Sequence, residues 1–123
     1  MTNDTIRQIL IWLNVGLRAA MELGVVVGFA VWGFSIANET WLGIVLAVAS
    51  PSLGFGIWGL VDFRNAGGPA EPLRLIEELL ISGLAALAVY VAGYQVAGWC
   101  LAILSIVHHG LVYLTGRRLL EKA

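Results

Sequence analysis

Leu17-Arg18-Ala19-Ala20-Met21-Glu22-Leu23, in the first of four apolar segments, recurs as Leu73-Arg74-Leu75-Ile76-Glu77-Glu78-Leu79 in the third. Positions i and i+4 share one face of a helix, so Arg18 pairs with Glu22 and Arg74 with Glu78 once these segments are helical. A charge inside a bilayer is expensive, so it turns toward a bundle interior and takes a partner. Two such phrases predict a buried polar centre built from two related halves.

The rest of the chain is compatible with lipid. Of 123 residues, 59% are apolar and 12% are charged, against roughly 25% charged in a soluble domain. Mean hydropathy is +0.88. Residues 1–123 therefore read as one integral membrane domain, with the lipid bilayer as its first partner. The net charge of −1 lacks the basic excess of a nucleic-acid-binding surface, so no nucleic acid is expected. The single cysteine, Cys100, excludes an intrachain disulfide and a multi-cysteine metal site. It reads as a small core residue. The low-lysine composition, rich in Ala, Gly and Val, reads as bacterial.

Spans of about 9–36, 41–61, 73–91 and 97–115 each approach the roughly 20 residues needed to cross. Short loops make neighbouring spans antiparallel, which predicts an all-α four-helix membrane bundle made of two tandem hairpins. The first span is overlong and reads as a retained helix, not a cleaved leader. Its start is interfacial, with Asp4 or Thr5 as cap. Pro51 frees a carbonyl in the second helix and predicts a kink. Pro72 starts the third after the Gly67-Gly68-Pro69 turn. Arg7, Arg64, Arg117, Arg118 and Lys122 fall on one side, whereas the opposite loops, 38–40 and 93–98, carry no Lys or Arg. The positive-inside rule places both termini in the cytoplasm, in a multi-pass inner-membrane protein. Trp41, Tyr94 and Trp99 then mark the outer interface, and Trp12, Phe63 and Tyr113 the inner one.

The repeat extends past the charged phrase. Trp41-Leu42-Gly43-Ile44-Val45-Leu46-Ala47-Val48 resembles Trp99-Cys100-Leu101-Ala102-Ile103-Leu104-Ser105-Ile106. Each half is a hairpin opening on an Arg–Glu helix, so the halves are parallel repeats about an axis near the membrane normal. That axis sets helices 1 and 3 across the bundle from each other, with their charged faces toward the centre.

At a rise of 1.5 Å per residue, Arg18 and Arg74 lie about one turn inside the membrane, and Glu22 and Glu78 roughly 9 Å deep. His108 and His109 lie roughly 12–13 Å deep on the fourth helix. Three helices thus bring titratable groups to one level, with Ser50 and Ser52 slightly further out. In the plainest reading the ion pairs only fix helix register. In the functional reading, burial favours a neutral carboxyl and a nearby arginine favours a carboxylate, so two unequal acids split into a proton donor and an anion. Glu77 adds like-charge pressure beside Glu78. No His-x-x-x-His or Glu-x-x-His spacing is present, so neither a metal nor another cofactor is expected. Gly54-Phe55-Gly56-Ile57-Trp58-Gly59 matches a dinucleotide fingerprint, but inside a span and with no strand before it. It reads, like Gly24-x-x-x-Gly28, as close helix packing. Of Phe29, Trp32, Phe34, Phe55, Trp58 and Tyr90 within the spans, any that line a pocket offer ring faces to a cation.

The Leu17–Leu23 helix, the Pro51-to-Trp58 stretch and the Pro72-Leu73-Arg74 to Glu78 helix together resemble the YrdB-like family of small bacterial four-helix membrane proteins, over roughly residues 10–115. The resemblance implies the four-helix fold and a polar loop after helix 2, to which Asp62 to Glu71 is similar. It implies no activity, and His108-His109 belongs to no motif of it. In size and buried acids the chain is also similar to small membrane-bound terpene cyclases of actinobacterial meroterpenoid pathways.

Three functional classes follow. The first is a membrane-embedded enzyme acting on a lipophilic small molecule by acid–base chemistry, with protonation-initiated cyclisation of an isoprenoid or its epoxide as the concrete case. Glu22 or Glu78 is then the acid. Arg18 and Arg74 hold the partner carboxylate, and His109, chosen over His108, relays or removes the last proton. Glu77, Ser50, Phe29, Trp58 and Tyr90 line the substrate. The second is a small proton-coupled transporter, which calls for a homodimer because four helices leave little room for alternating access. The third is a structural, partner-binding membrane protein whose ion pairs fix register.

Overall fold

The computed structural model describes residues 2–63 and 67–119. Arg64 and Lys122, two of the cations assigned to the inner side, lie outside the described residues. Four helices follow in order: α1 (Asn3–Ser35), α2 (Thr40–Leu60), α3 (Ala70–Val91) and α4 (Gln95–Leu114). Among the described residues there is no strand, and the fold is an all-α four-helix bundle.

The ends follow local chemistry. Thr2, not Asp4 or Thr5, caps α1, its Oγ1 accepting from the Thr5 N–H at 3.2 Å. The polar run 2–5 offers several caps, and Thr2 is the one whose position lets the helix begin at Asn3. Pro51 lies inside an unbroken α2, and the Ser52 hydroxyl donates to Val48 O at 2.6 Å one turn back. Beyond α4, Gly116 takes a left-handed φ of +73°. The Arg117 N–H reaches back to Val112 O at 2.9 Å and the Gly116 N–H to Tyr113 O at 3.0 Å. This glycine turn folds residues 117–119 back across the end of the bundle. Arg7 Nε donates to Thr115 O at 2.9 Å, which ties the start of α1 to the end of α4. The start of α1 and the end of α4 therefore lie at the same end.

α1 is the central helix. It packs on α2, α3 and α4, whereas α2 and α4 do not touch and α2 barely meets α3. The section is a lozenge with α1 and α3 on the short diagonal, so the two Arg–Glu helices do face each other. Met21 and Val25 of α1, Trp58 of α2, Ile81, Ala85 and Ala86 of α3 and Leu101 of α4 form the apolar core. Close approach rests on a few glycines. A methyl at Gly28 would stand 3.0 Å from Ala85 O of α3, and one at Gly33 would collide with Leu46 O of α2. Of the Gly54–Gly59 run only Gly54 is packed, against the Phe29 ring, and Gly56 and Gly59 face open space. Cys100 is exposed on the outer surface of α4, not a core residue. The apolar run around it faces outward because the inward stripe of α4 is Gly98, Leu101, Ser105, His108, His109 and Val112.

Three helices, α1, α2 and α4, are long and apolar enough to cross a membrane. α3 has the length, with 22 residues spanning about 33 Å. It carries Arg74, Glu77 and Glu78, however, and it buries more of its residues than any other helix. A substitution separates packing from propensity: Gly33→Ala should destabilise the bundle by about 1–3 kcal/mol. Gly56→Ala should leave it unchanged or raise it by up to about 1 kcal/mol. Unfolding of the purified protein in detergent measures both.

Candidate functional site

Glu78 lies at the centre with 0% of its surface exposed. Arg18 Nη1 of α1 donates to its Oε1 at 2.9 Å, and Arg74 Nε, one turn back on α3, donates to its Oε2 at 2.8 Å. His109 Nε2 of α4 stands 3.2 Å from Oε1. Each contact follows from placement: Arg74 by the i, i+4 spacing, Arg18 by the short diagonal, and His109 by the inward stripe of α4. α2 contributes Trp58, which is buried and whose ring centroid lies 5.5 Å from the Arg18 guanidinium carbon and 5.8 Å from that of Arg74. Its electron-rich face helps hold two like charges on one carboxylate. Phe55 stacks on Trp58 at 5.4 Å. Every helix thus supplies one part of the Glu78 environment.

Hydrogen-bond direction at His109 has a consequence. Its Nδ1 lies 2.7 Å from Ser105 O, a carbonyl that can only accept, so Nδ1 carries a hydrogen. Nε2 faces a carboxyl oxygen, and the contact is satisfied only when a proton lies between them. His108, its ring 4.9 Å away, places Nδ1 2.7 Å from Asn14 Oδ1 and leaves Nε2 buried without a partner. Glu78, His108 and His109 offer one ligand atom each within 4.8 Å, enough to hold a cation. Two guanidiniums on the same carboxylate oppose a metal ion there.

The two adjacent acids of α3 differ. Glu78 has donors on both oxygens. Glu77 has one contact, from Arg74 Nη1 to Oε2 at 3.4 Å, and its Oε1 is buried with no partner. Glu77 lines an apolar groove of about 440 Å³ where α2 stands off from α3, with Phe29, Trp32, Ser50, Ile57 and Leu84 among its walls. Glu22, bound by Arg18 Nε at 3.0 Å, is about two-fifths exposed and sits at the rim. It lines a second, more polar recess of about 480 Å³ with Arg18, Arg74 and Trp58.

Of the residues singled out from sequence, Arg18, Glu22, Arg74, Glu77, Glu78, His109 and Trp58 converge, and Phe29 and Ser50 flank the adjoining groove. Tyr90 is apart. It packs edge-on against Trp99 at 6.5 Å in a recess between α3 and α4. Tyr113, assigned to the interface belt, donates to Glu71 Oε1 at 3.1 Å, and the Leu119 N–H donates to the same oxygen. Sequence reasoning missed Asn14 and the Ser82–Ser105 pair, whose hydroxyls lie 2.6 Å apart behind His109. A lone Asn in an apolar span was the available signal for the first. Serines on helices carried none, since they commonly bond their own backbone.

Residues 16–106 match a family described as "Protein of unknown function (DUF2568)". The chain belongs to this DUF2568 family. No curated protein and no solved structure gives a significant match. The matched span covers both charged phrases of this DUF2568 protein and ends just before His108 and His109. The Glu78 cage is therefore completed by residues outside it. Glu78→Gln should destabilise the protein by about 2–4 kcal/mol, because it leaves two largely sequestered guanidiniums facing a neutral amide. Glu22→Gln should cost less than about 1 kcal/mol, as for a solvent-screened pair. Thermal unfolding in detergent discriminates the two.

Proposed function

We propose that this protein is a membrane-embedded enzyme that protonates a lipophilic substrate lying in the α2–α3 groove. The supporting observation is the contrast between Glu77 and Glu78. Glu78 is fixed by two arginines and meets His109. Glu77 presents an unpartnered carboxyl oxygen beside an apolar, aromatic-walled groove. An acid must have an oxygen free to carry a proton to substrate, and Glu77 has one. The acid is thus Glu77, not Glu22 or Glu78. Glu78 and Arg74 position it.

The chemistry we assign is the cyclisation or isomerisation of an isoprenoid or its epoxide, the reaction of the small membrane-bound terpene cyclases that the chain resembles in size. Glu77 O–H gives its proton to the epoxide oxygen or to an alkene carbon. The resulting carbocation is attacked by a neighbouring double bond, and loss of a proton to the Glu77 carboxylate restores the acid. No atom is gained or lost. Phe29 and Trp32 present ring faces along the path of the cation, and the groove opens toward hydrocarbon, which keeps water from the cation. In this reading the protein lies in the bacterial inner membrane with both termini in the cytoplasm, where Arg7, Arg117 and Arg118 cluster at one end. The YrdB-like resemblance fits the same bundle.

Membranes carrying the protein, supplied with a panel of prenylated compounds and their epoxides, should yield a product of unchanged mass and new chromatographic retention. Glu77→Gln should lower the rate by at least about a hundredfold while the protein stays folded, and Ser50→Ala should change it far less. Full activity in folded Glu77→Gln, or no conversion across the panel, would overturn the assignment.

A further inference from the structure

The groove beside Glu77 has a second polar end. Among its lining residues only Glu77, Ser50 and Trp32 carry a polar side-chain atom. On α3 the lining runs from Glu77 to Leu84, and on α2 from Ile57 back to Ser50. The two helices run antiparallel, and the contact of Arg74 Nη1 with Trp58 O sets the end of α2 level with the start of α3. Glu77 and Ser50 therefore stand at opposite ends of the groove, about two turns of helix or roughly 10 Å apart. Trp32 of α1 joins Ser50 at its end, since the next residue, Gly33, packs against Leu46 and Ser50 of α2. A methyl at Gly33 would lie 2.6 Å from Ser50 Oγ, so the glycine leaves the hydroxyl its place.

The Ser50 hydroxyl differs from the other serines of the bundle. Ser35, Ser52 and Ser82 each donate to a backbone carbonyl about one turn back, and Ser105 bonds to Ser82. That is the usual fate of a serine on a helix. Among the described residues neither the Ser50 hydroxyl nor the Trp32 indole N–H has a hydrogen-bond partner. A polar group left against an apolar wall without a partner is unfavourable, so this end favours a ligand that brings one. The donors define what it brings. An indole N–H can only donate, and a hydroxyl donates or accepts. A carbonyl oxygen, with two lone pairs, serves both at once. A hydrocarbon serves neither.

We propose that the substrate of this groove is an isoprenoid with an acceptor oxygen at one end, as in a ketone, held by Ser50 and Trp32 while its other end reaches Glu77. The inference rests on the reading of the groove as the substrate site, and it makes Ser50 a specificity-determining residue. The ketone end sets which double bond or epoxide of the chain comes to Glu77.

The test uses the full chain in nanodiscs of phosphatidylcholine, with binding read by native mass spectrometry. The probes are tetrahydrogeranylacetone, a saturated isoprenoid ketone, and farnesane, a saturated isoprenoid hydrocarbon. Neither has an alkene or an epoxide to protonate, so binding is read without turnover. Saturable uptake of one ketone per chain, at least about tenfold tighter than farnesane, is expected. Ser50→Ala should remove most of that preference, and Trp32→Phe, which keeps a ring and loses the N–H, should weaken ketone binding several-fold. In turnover of the terminal epoxide of geranylacetone, Ser50→Ala should raise KM and leave kcat nearly unchanged. Equal binding of ketone and hydrocarbon, or wild-type ketone binding in folded Ser50→Ala, would overturn the inference. Selective ketone binding by a protein that converts none of the epoxides would overturn the acid at Glu77 and leave this inference standing. Conversion of hydrocarbon epoxides as readily as ketone epoxides would do the reverse.

Discussion

A carboxylate with no exposed surface, Glu78, is held by arginines from two helices and a histidine from a third, and the bundle is arranged around that contact. Apolar packing inside lipid discriminates poorly between one helix partner and another, because lipid tails are as apolar as leucine. Charged hydrogen bonds discriminate strongly. Arg18 fixes α1 against α3, His109 fixes α4 against α3, and Trp58 fixes α2 by covering both guanidiniums. Three carboxylates, Glu22, Glu77 and Glu78, meet two guanidiniums.

The two halves are alike in sequence and unlike in role, and the difference traces to one turn of helix. Where α4 carries His108 and His109, the matching stretch of α2 carries Ser50 and Pro51. α4 therefore has a ring nitrogen to bring to the centre, and α2 has none. α3 packs closely on α4 and stands away from α2, which opens the groove beside Glu77. The same asymmetry sends Glu22 to the rim and Glu78 to the core, although each has an arginine four residues before it. The three acids differ accordingly: Glu78 is caged, Glu22 lies at the rim, and Glu77 keeps an oxygen without a partner.

Much of this was legible in the sequence. The spacing of Arg18, Glu22, Arg74 and Glu78 gives helices with inward charged faces, and the absence of Lys and Arg from 38–40 and 93–98 separates the two ends. What could not be read was which arginine serves which acid. The i, i+4 rule pairs Arg18 with Glu22, and it does so here. A guanidinium has donors to spare, however, and Arg18 spends its Nη1 on Glu78 across the diagonal. Periodicity reports a helix face, not its neighbour. What sets Glu77 apart was hidden for the same reason, since its distinguishing property is an oxygen without a partner. Cys100 was misplaced because hydrophobic residues around a cysteine mean a core in water and mean nothing of the kind in lipid.

α3 shows how strongly the parts depend on one another. By itself it carries an arginine and two glutamates in its first turns, and a charged residue opposes insertion of a helix into lipid by up to about 2.5–3.5 kcal/mol at the centre of a span. Leu, Ile, Val and Ala in the rest of α3 offset only part of that. The remainder is removed when Arg18 and His109 reach the same carboxylate, and those groups belong to α1 and α4. α1 is long and apolar enough to cross a membrane and is central, in contact with all three other helices. α4 closes the site from the far side. The second hairpin lacks a complete partner set for its own charges, so Glu78 is fully held only when α1 brings Arg18 to it. The site and the fold are in that sense one interaction.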